Sequence, residues 1–193
     1  MTQNRPWVLA SSSPRRRDLL GLLCSNFEVI PSQIEEIQQP GESPFQMVQR
    51  LAKEKAIAVH LLRPESLVIG ADTVVVCEGQ ILGKPGSPTE ARSMLQKLSG
   101  RSHEVITGLC VLKGAIVFVD AACTTVTFSP LSGEEIEEYL ATGEPFDKAG
   151  GYATQGKAAR FVERIEGCFF NVVGLPVSLL YRLLRRPEFL NNG

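Results

Sequence analysis

Serines placed directly ahead of helix-compatible residues punctuate this chain, and that punctuation constrains its fold more than any other feature. Ser13-Pro14, Ser43-Pro44-Phe45-Gln46, Ser87-Pro88-Thr89-Glu90 and Ser132-Gly133-Glu134-Glu135 each offer a hydroxyl to cap free backbone N–H groups. The first three add a proline at the first helical position, and the last three a glutamine or glutamate at the third, the capping-box pattern. These signals predict helices over about 15–23, over 44–62, from Ser87 to a stop at Gly100, and from Ser132 to about 141.

Apolar runs between these starts read as strands at 7–10, 27–30 and 66–77, then 103–112, 115–122 and 124–128, with a tight turn at Lys113-Gly114. Further strands are predicted at 159–165 and 168–173, with a last helix at 176–184 and a frayed tail after Arg186. Residues 33–42 form an acidic polar loop, and 143–156 a glycine-rich loop carrying charge. Strands and helices alternate in the first half, while strands cluster in the second. The expected class is α/β: one domain over 1–193 around a mixed sheet, without linker, repeat or low-complexity segment.

Composition enters as a filter on function. The net charge is −1, with acids and bases mixed along the chain, so there is no broad basic field for nucleic acid. Cys24, Cys77, Cys110, Cys123 and Cys168 lie far apart and form no C-x-x-C pair, which reads as buried reduced thiols. A Cys110–Cys123 bridge across a hairpin is the alternative, without support in the sequence. No signal peptide is visible at the N-terminus, and no run approaches the ~18 apolar residues of a membrane span. A soluble, cytoplasmic protein without membrane partners is expected.

Two anomalies carry chemistry. Val68-Ile69-Gly70-Ala71-Asp72-Thr73-Val74-Val75-Val76 is an apolar run interrupted at its centre by Asp72-Thr73, with the aspartate its one charge. A buried carboxylate has to meet a cation, a metal or several donors, so Asp72 is either a functional group or one half of a structural salt bridge or turn cap. Ser11-Ser12-Ser13-Pro14-Arg15-Arg16-Arg17 sets hydroxyls and guanidiniums at a helix N-terminus, a cradle for an anion or simply a capped surface helix with solvated arginines. Weaker pieces are the Glu35-Glu36 pair, Lys55 on the apolar stripe of its helix, and the loop lysines of Gly83-Lys84-Pro85 and Asp147-Lys148-Ala149-Gly150-Gly151-Tyr152.

Elimination narrows the chemistry. Gly83-Lys84-Pro85 lacks P-loop spacing, no G-x-G-x-x-G occurs, and only His60 and His103 are present. Carboxylates, lysines, arginines and hydroxyls remain, the set used for phosphate chemistry with hard metals.

Taken together, the segments Leu9-Ala10-Ser11-Ser12-Ser13-Pro14-Arg15-Arg16, Ile34-Glu35-Glu36, Arg50-Leu51-Ala52-Lys53-Glu54-Lys55-Ala56, Gly70-Ala71-Asp72-Thr73-Val74-Val75 and Gly83-Lys84-Pro85 resemble the Maf family of nucleotide pyrophosphatases. Leu98-Ser99-Gly100-Arg101-Ser102-His103, the run Glu144–Tyr152, Gln155-Gly156 and Val172-Val173-Gly174-Leu175-Pro176 continue the likeness in order over residues 9–176. The resemblance implies an elongated, two-lobed α/β fold of Maf/ITPase type, often a homodimer. It also implies hydrolysis of a nucleoside triphosphate to the monophosphate and pyrophosphate with Mg²⁺ or Mn²⁺.

It would make Asp72 the proton acceptor, with Glu36 and Asp72 at the metal and Ser11, Arg15, Lys55 and Lys84 on phosphate. Arg15, Thr73 and Gln155 match the family positions that sort substrates, in the form typical of the branch acting on dTTP and UTP. Kept as alternatives are the sister branch that prefers 7-methyl-GTP, a nucleotide-sensing regulator of cell division, and a nucleic-acid-binding module using Arg15–Arg17.

Overall fold

The computed structural model describes residues 6–190 of the 193. Seven strands form one sheet: β1 (Trp7–Leu9), β2 (Phe27–Val29), β3 (Leu67–Cys77), β4 (Gln80–Leu82), β5 (Ser102–Lys113), β6 (Ile116–Phe128) and β7 (Val162–Glu166). Their order is β2-β1-β3-β5-β6-β7, with β4 paired to β3. Strand β1 runs parallel to both β2 and β3, with Trp7 opposite Phe27 and Leu67, whereas β4 is antiparallel to β3 and β7 to β6. The sheet is mixed, as expected. The helices are α1 (Pro14–Gly21), α2 (Pro44–His60), α3 (Pro88–Leu98), α4 (Gly133–Leu140), α5 (Phe169–Val173), α6 (Val177–Leu184) and α7 (Pro187–Leu190).

The helix starts follow the serines. The Ser43 hydroxyl accepts from Gln46 N while the Gln46 side chain accepts from Ser43 N, a complete capping box, and Ser132 with Glu135 repeats it. Ser87 forms only half of the expected box. Its hydroxyl accepts from Glu90 N, but the Glu90 carboxylate takes the Gly86 N–H at 2.8 Å instead of that of Ser87. Gly100, at φ +65°, turns the chain out of α3.

Several predicted elements differ. The separate strands at 115–122 and 124–128 are one continuous β6. The glycine-rich loop contains two 3-10 turns, Glu144–Asp147 and Ala149–Gly151, and a third at Lys157–Phe161 replaces the start of the strand expected from 159. Residues 168–173, expected as a strand, contain the short helix α5. Beyond Arg186, Pro187–Leu190 is helical, and the expected fraying at 191–193 lies outside the described residues. No helix among the described residues is long and apolar enough to cross a membrane.

By contact density the chain divides into two compact units: residues up to Asp72 with Thr107–Ala122 and those from Gly174 on, and Thr73–Ile106 with Cys123–Val173. The first unit has a core of small residues, including Val8, Ala10, Ala52, Ala56, Val68 and Cys110. The second is built on Phe128, Tyr139, Phe161 and the buried face of α3. Its ring cluster includes His103, whose Nε2 meets the Tyr152 hydroxyl at 2.6 Å; burial pushes the imidazole down to about 4, so it packs as a neutral side chain.

Small residues in the first unit determine how close helix and sheet come. A methyl at Gly108 would overlap the Val48 carbonyl of α2, and one at Gly70 would overlap the Ala52 carbonyl and lie 3.0 Å from the Ala56 side chain. Alternate residues on a strand share a face, so Asp72 points the same way as Gly70. On α2, Lys55 falls between Ala52 and Ala56. The close approach that these glycines permit therefore brings the Lys55 ammonium to Asp72. Gly108→Ala is expected to cost about 1–3 kcal/mol by overpacking, read as a lowered denaturation midpoint. An unchanged midpoint would show that α2 can shift away at no cost.

Candidate active site

Where β1 ends, the Ala10 N–H still bonds to the Ile69 carbonyl, and the chain then turns into α1 through Ser11-Ser12-Ser13. Ser11 is buried, and its Oγ accepts from Ser13 N and from Arg16 Nη1, each at 3.2 Å. Arg16 Nε donates to the Gly174 carbonyl at 2.8 Å, which fixes the guanidinium against the serine loop. Burial lowers the Arg16 pKa, the negative charges of Asp72 and Glu36 oppose that shift, and the neighbouring Arg15 reinforces it. The structure thus puts Arg16 on Ser11, a residue that the sequence reading passed over in favour of Arg15. Arg15 lies half-buried beside it in the first turn of α1.

The centre of the site is Lys55. Its Nζ donates to Asp72 Oδ1 and to Glu36 Oε1, both at 2.6 Å. Lys55 and Asp72 retain only 6% and 7% side-chain exposure, whereas Glu36 retains 40%. Asp72 therefore has the cation that its burial demanded, and Lys55 has the partner that its place on an apolar stripe required. In this state Asp72 is one half of a buried ion pair. The same two carboxylates form an open, hard-oxygen donor set with a water-facing side at Glu36.

Among the described residues no group of three or more His, Cys, Asp or Glu side chains converges to cage a metal. Two carboxylates suit Mg²⁺ or Mn²⁺ nonetheless, because such ions keep several waters and take the remaining oxygens from substrate phosphate. The fit is to a shared protein–phosphate site rather than to a closed structural one.

The loop that carries Glu36 is tied down by Arg50. Nε and Nη2 of Arg50 grip the Glu42 carboxylate at 2.7 Å each, Nη2 also donates to the Ile37 carbonyl at 2.9 Å, and Nη1 reaches Glu54 at 3.1 Å. The bond to Ile37, next in sequence to Glu36, sets where the Glu36 side chain begins. The hydrogen bond from Arg50 lowers the Glu42 pKa, so this contact stabilises the fold above the ordinary carboxylate range and is lost as pH falls through the lowered value. Arg50→Met is expected to destabilise the protein at neutral pH and to lose less stability than the wild type on acidification. Parallel loss of stability in both proteins would show that the Glu42 contact contributes nothing.

The remaining predicted residues belong to the second unit. Thr73 follows Asp72 on β3 and faces the opposite side of the strand; Lys84 is exposed in the loop after β4, and Gln155 is exposed in the turn after Tyr152. Gly83, next to Lys84, accepts at its carbonyl from Gly150 N at 3.0 Å, so the glycine-rich loop braces that lysine's loop. The geometry brings together Ser11, Glu36, Lys55 and Asp72 and adds Arg16. All five cysteines are free. Burial pushes the Cys110 thiol up to about 12, so it supplies no thiolate nucleophile, and Cys77 is buried as expected, whereas Cys24 and Cys168 are half-buried and Cys123 is exposed.

A family profile described as "Maf-like protein" matches residues 6–187. Among curated relatives, a dTTP/UTP pyrophosphatase of Geobacillus sp. is 52% identical over 181 residues, spanning 93% of this chain and 96% of the relative. A protein of the same name from Desulforamulus reducens is 50% identical over 183 residues (94% and 96%), and one from Koribacter versatilis is 47% identical over 183 residues (95% of each). Among solved structures, the Staphylococcus aureus Ham1 protein aligns over 93% of this chain and 98% of its own, with a TM-score of 0.50 at 14% identity, a likeness of fold.

Proposed function

This chain belongs to the Maf family, and from that premise we propose that it hydrolyses dTTP and UTP to the monophosphate and pyrophosphate. The observation that carries the reading is the buried Asp72–Lys55 pair, joined by the more open Glu36, beside the Ser11 loop. The names and identities of the relatives support the substrate pair.

Ser11, Lys55 and Lys84, with Arg15 and Arg16, hold the triphosphate and offset its charge. Glu36 and Asp72 would hold a divalent cation. Bound Mg²⁺ or Mn²⁺ would supply positive charge against the phosphate oxygens and a water of lowered pKa. The attacking water is either oriented by Asp72, which accepts its proton, or made acidic by the cation that Asp72 would hold; one carboxylate does not serve as tight metal ligand and free base at once. The water oxygen bonds to the α-phosphorus, the bond from that phosphorus to the bridging oxygen breaks, and pyrophosphate departs with that oxygen. Most of the acceleration comes from positioning and electrostatic stabilisation. Arg15, Thr73 and Gln155 select the base. The reading includes a homodimer acting on free nucleotides in the cytoplasm, and near-neutral net charge supports free nucleotides over nucleic acid.

The test is pyrophosphate release by purified protein with Mg²⁺ or Mn²⁺ from dTTP, UTP, CTP, GTP and 7-methyl-GTP. Fast release from dTTP and UTP is expected. Preference for 7-methyl-GTP would overturn the roles of Arg15, Thr73 and Gln155, and no turnover from folded protein would favour a nucleotide-sensing regulator.

A further inference from the structure

We infer that Glu144 is a positioning residue for base selection, its carboxylate fastening the turn that carries Gln155. This inference rests on the role given to Gln155 above.

Glu144 is itself held from several sides. Its N–H donates to Thr142 Oγ1 at 3.2 Å, and its carbonyl accepts from Lys148 Nζ at 2.8 Å. Oε1 of the carboxylate accepts from the Tyr139 hydroxyl at 2.9 Å, and Oε2 accepts from the Lys157 N–H at 2.9 Å. Tyr139 has no exposed surface and packs edge-on against Phe161, with ring centroids 5.3 Å apart. One side of the carboxylate is therefore anchored to the core, and the other holds the backbone two residues beyond Gln155.

Gly156 shows how tightly the turn is drawn in. A methyl there would overlap both carboxylate oxygens of Glu144, so a side chain at this position has to push that carboxylate off its two donors. The backbone at Gly156 is extended, with φ −118° and ψ −157°, so space rather than backbone strain demands the glycine. On the other side, Gly156 N donates to the Ala153 carbonyl at 3.1 Å, closing a four-residue turn with Gln155 at its third position. Gln155 is exposed, and the position of its backbone bounds the space its amide group can reach. Recognition of a base edge by an amide tolerates errors well under an ångström, and a bond two residues away is enough to control it.

The experiment measures thermal stability and steady-state kinetics with dTTP and CTP for Glu144→Ala, Glu144→Gln, Gly156→Ala, the double variant Glu144→Ala/Gly156→Ala, and Gln155→Ala. Glu144→Ala is expected to raise KM for dTTP and to lower the dTTP-over-CTP preference, each by about tenfold, with kcat little changed. Glu144→Gln should keep more of the preference than Glu144→Ala, because its amide oxygen still accepts from Lys157 N–H, although its NH₂ takes the place of the oxygen that accepts from the buried Tyr139 hydroxyl. Gly156→Ala should reproduce the KM and preference changes by pushing the turn off the carboxylate. The double variant should be milder than the sum of the two, since removing the carboxylate vacates the space that the methyl needs.

An unchanged preference in Glu144→Ala, or an equal loss of kcat with both nucleotides, would overturn the inference. If that variant fails to fold, Gly156→Ala decides on the same criteria. A changed preference in Gln155→Ala without one in the Glu144 and Gly156 variants overturns this inference alone. No change in Gln155→Ala overturns the reading of Gln155 and the inference with it.

Discussion

Asp72→Asn is expected to keep the fold and to release pyrophosphate from dTTP and UTP about 10²-fold more slowly or worse, the scale for loss of a positioned base. Asparagine matches aspartate in shape, and its amide oxygen can still accept the 2.6 Å bond from Lys55 Nζ, so the packing of β3 against α2 need not change. What changes is charge. Asparagine removes one negative charge from the pair of carboxylates that Lys55 Nζ bridges. A neutral amide cannot take the proton of an attacking water, and it binds a divalent cation more weakly than a carboxylate does. The loss should fall on kcat, measured as pyrophosphate release at saturating nucleotide, alongside a thermal melt to establish folding. Near-normal turnover from a folded variant would remove Asp72 from the chemistry and leave it as half of a structural ion pair.

The sequence made local features readable and distant ones only as demands. The starts of α1, α2 and α4 were legible because a cap is decided within four residues, and the serine bonds to Arg16, Gln46 and Glu135 N–H groups are those expected. The run 168–173 misled because Phe169, Phe170, Val172 and Val173 suit a strand as well as a helix. Its helix is tied in by distant partners: Asn171 Nδ2 reaches the Val105 carbonyl at 2.9 Å and Thr124 Oγ1 at 3.0 Å. Strand β4, no shorter than β1 and β2, went unread because its hairpin turns on Glu78 and Gly79 at φ +51° and +75°, and Glu-Gly is not one of the turn pairs that announce a hairpin.

The site divides along the same line. A lone charge in an apolar pattern announces itself, which is why Asp72 stood out, while Lys55 on its apolar stripe gave a weaker signal. That they answer each other, with Glu36 joining, depends on contacts 17 and 19 residues apart in the chain. The choice of Arg16 over Arg15 depends on a carbonyl 158 residues away. Residues that act through backbone, such as Arg50 on Ile37, carry no signal of their own.

Lys55→Met is expected to lower stability by about 3 kcal/mol or more, the scale for breaking a buried ion pair from one side. Methionine is close to the lysine stem in length and apolar character, so packing of α2 over Gly70 is largely kept and the change isolates the ammonium. Its two acceptors then fare differently. Glu36, with 40% of its side chain exposed, can turn to water; Asp72, at 7%, is left buried without its counter-ion and bears most of the cost. An exposed pair would be worth about 0–1 kcal/mol, so a loss below ~1 kcal/mol in chemical denaturation would show that water reaches Asp72 freely. Combining Lys55→Met with Asp72→Asn should recover part of the loss, because the stranded charge is gone. The same geometry predicts how a divalent cation acts: in wild type it must displace the ammonium from both carboxylates, whereas in Lys55→Met it meets them unopposed. Mg²⁺ or Mn²⁺ should therefore raise the melting temperature of Lys55→Met more than that of wild type, and should do so little when Asp72→Asn is added. An equal rise in all three proteins would move the cation away from Glu36 and Asp72.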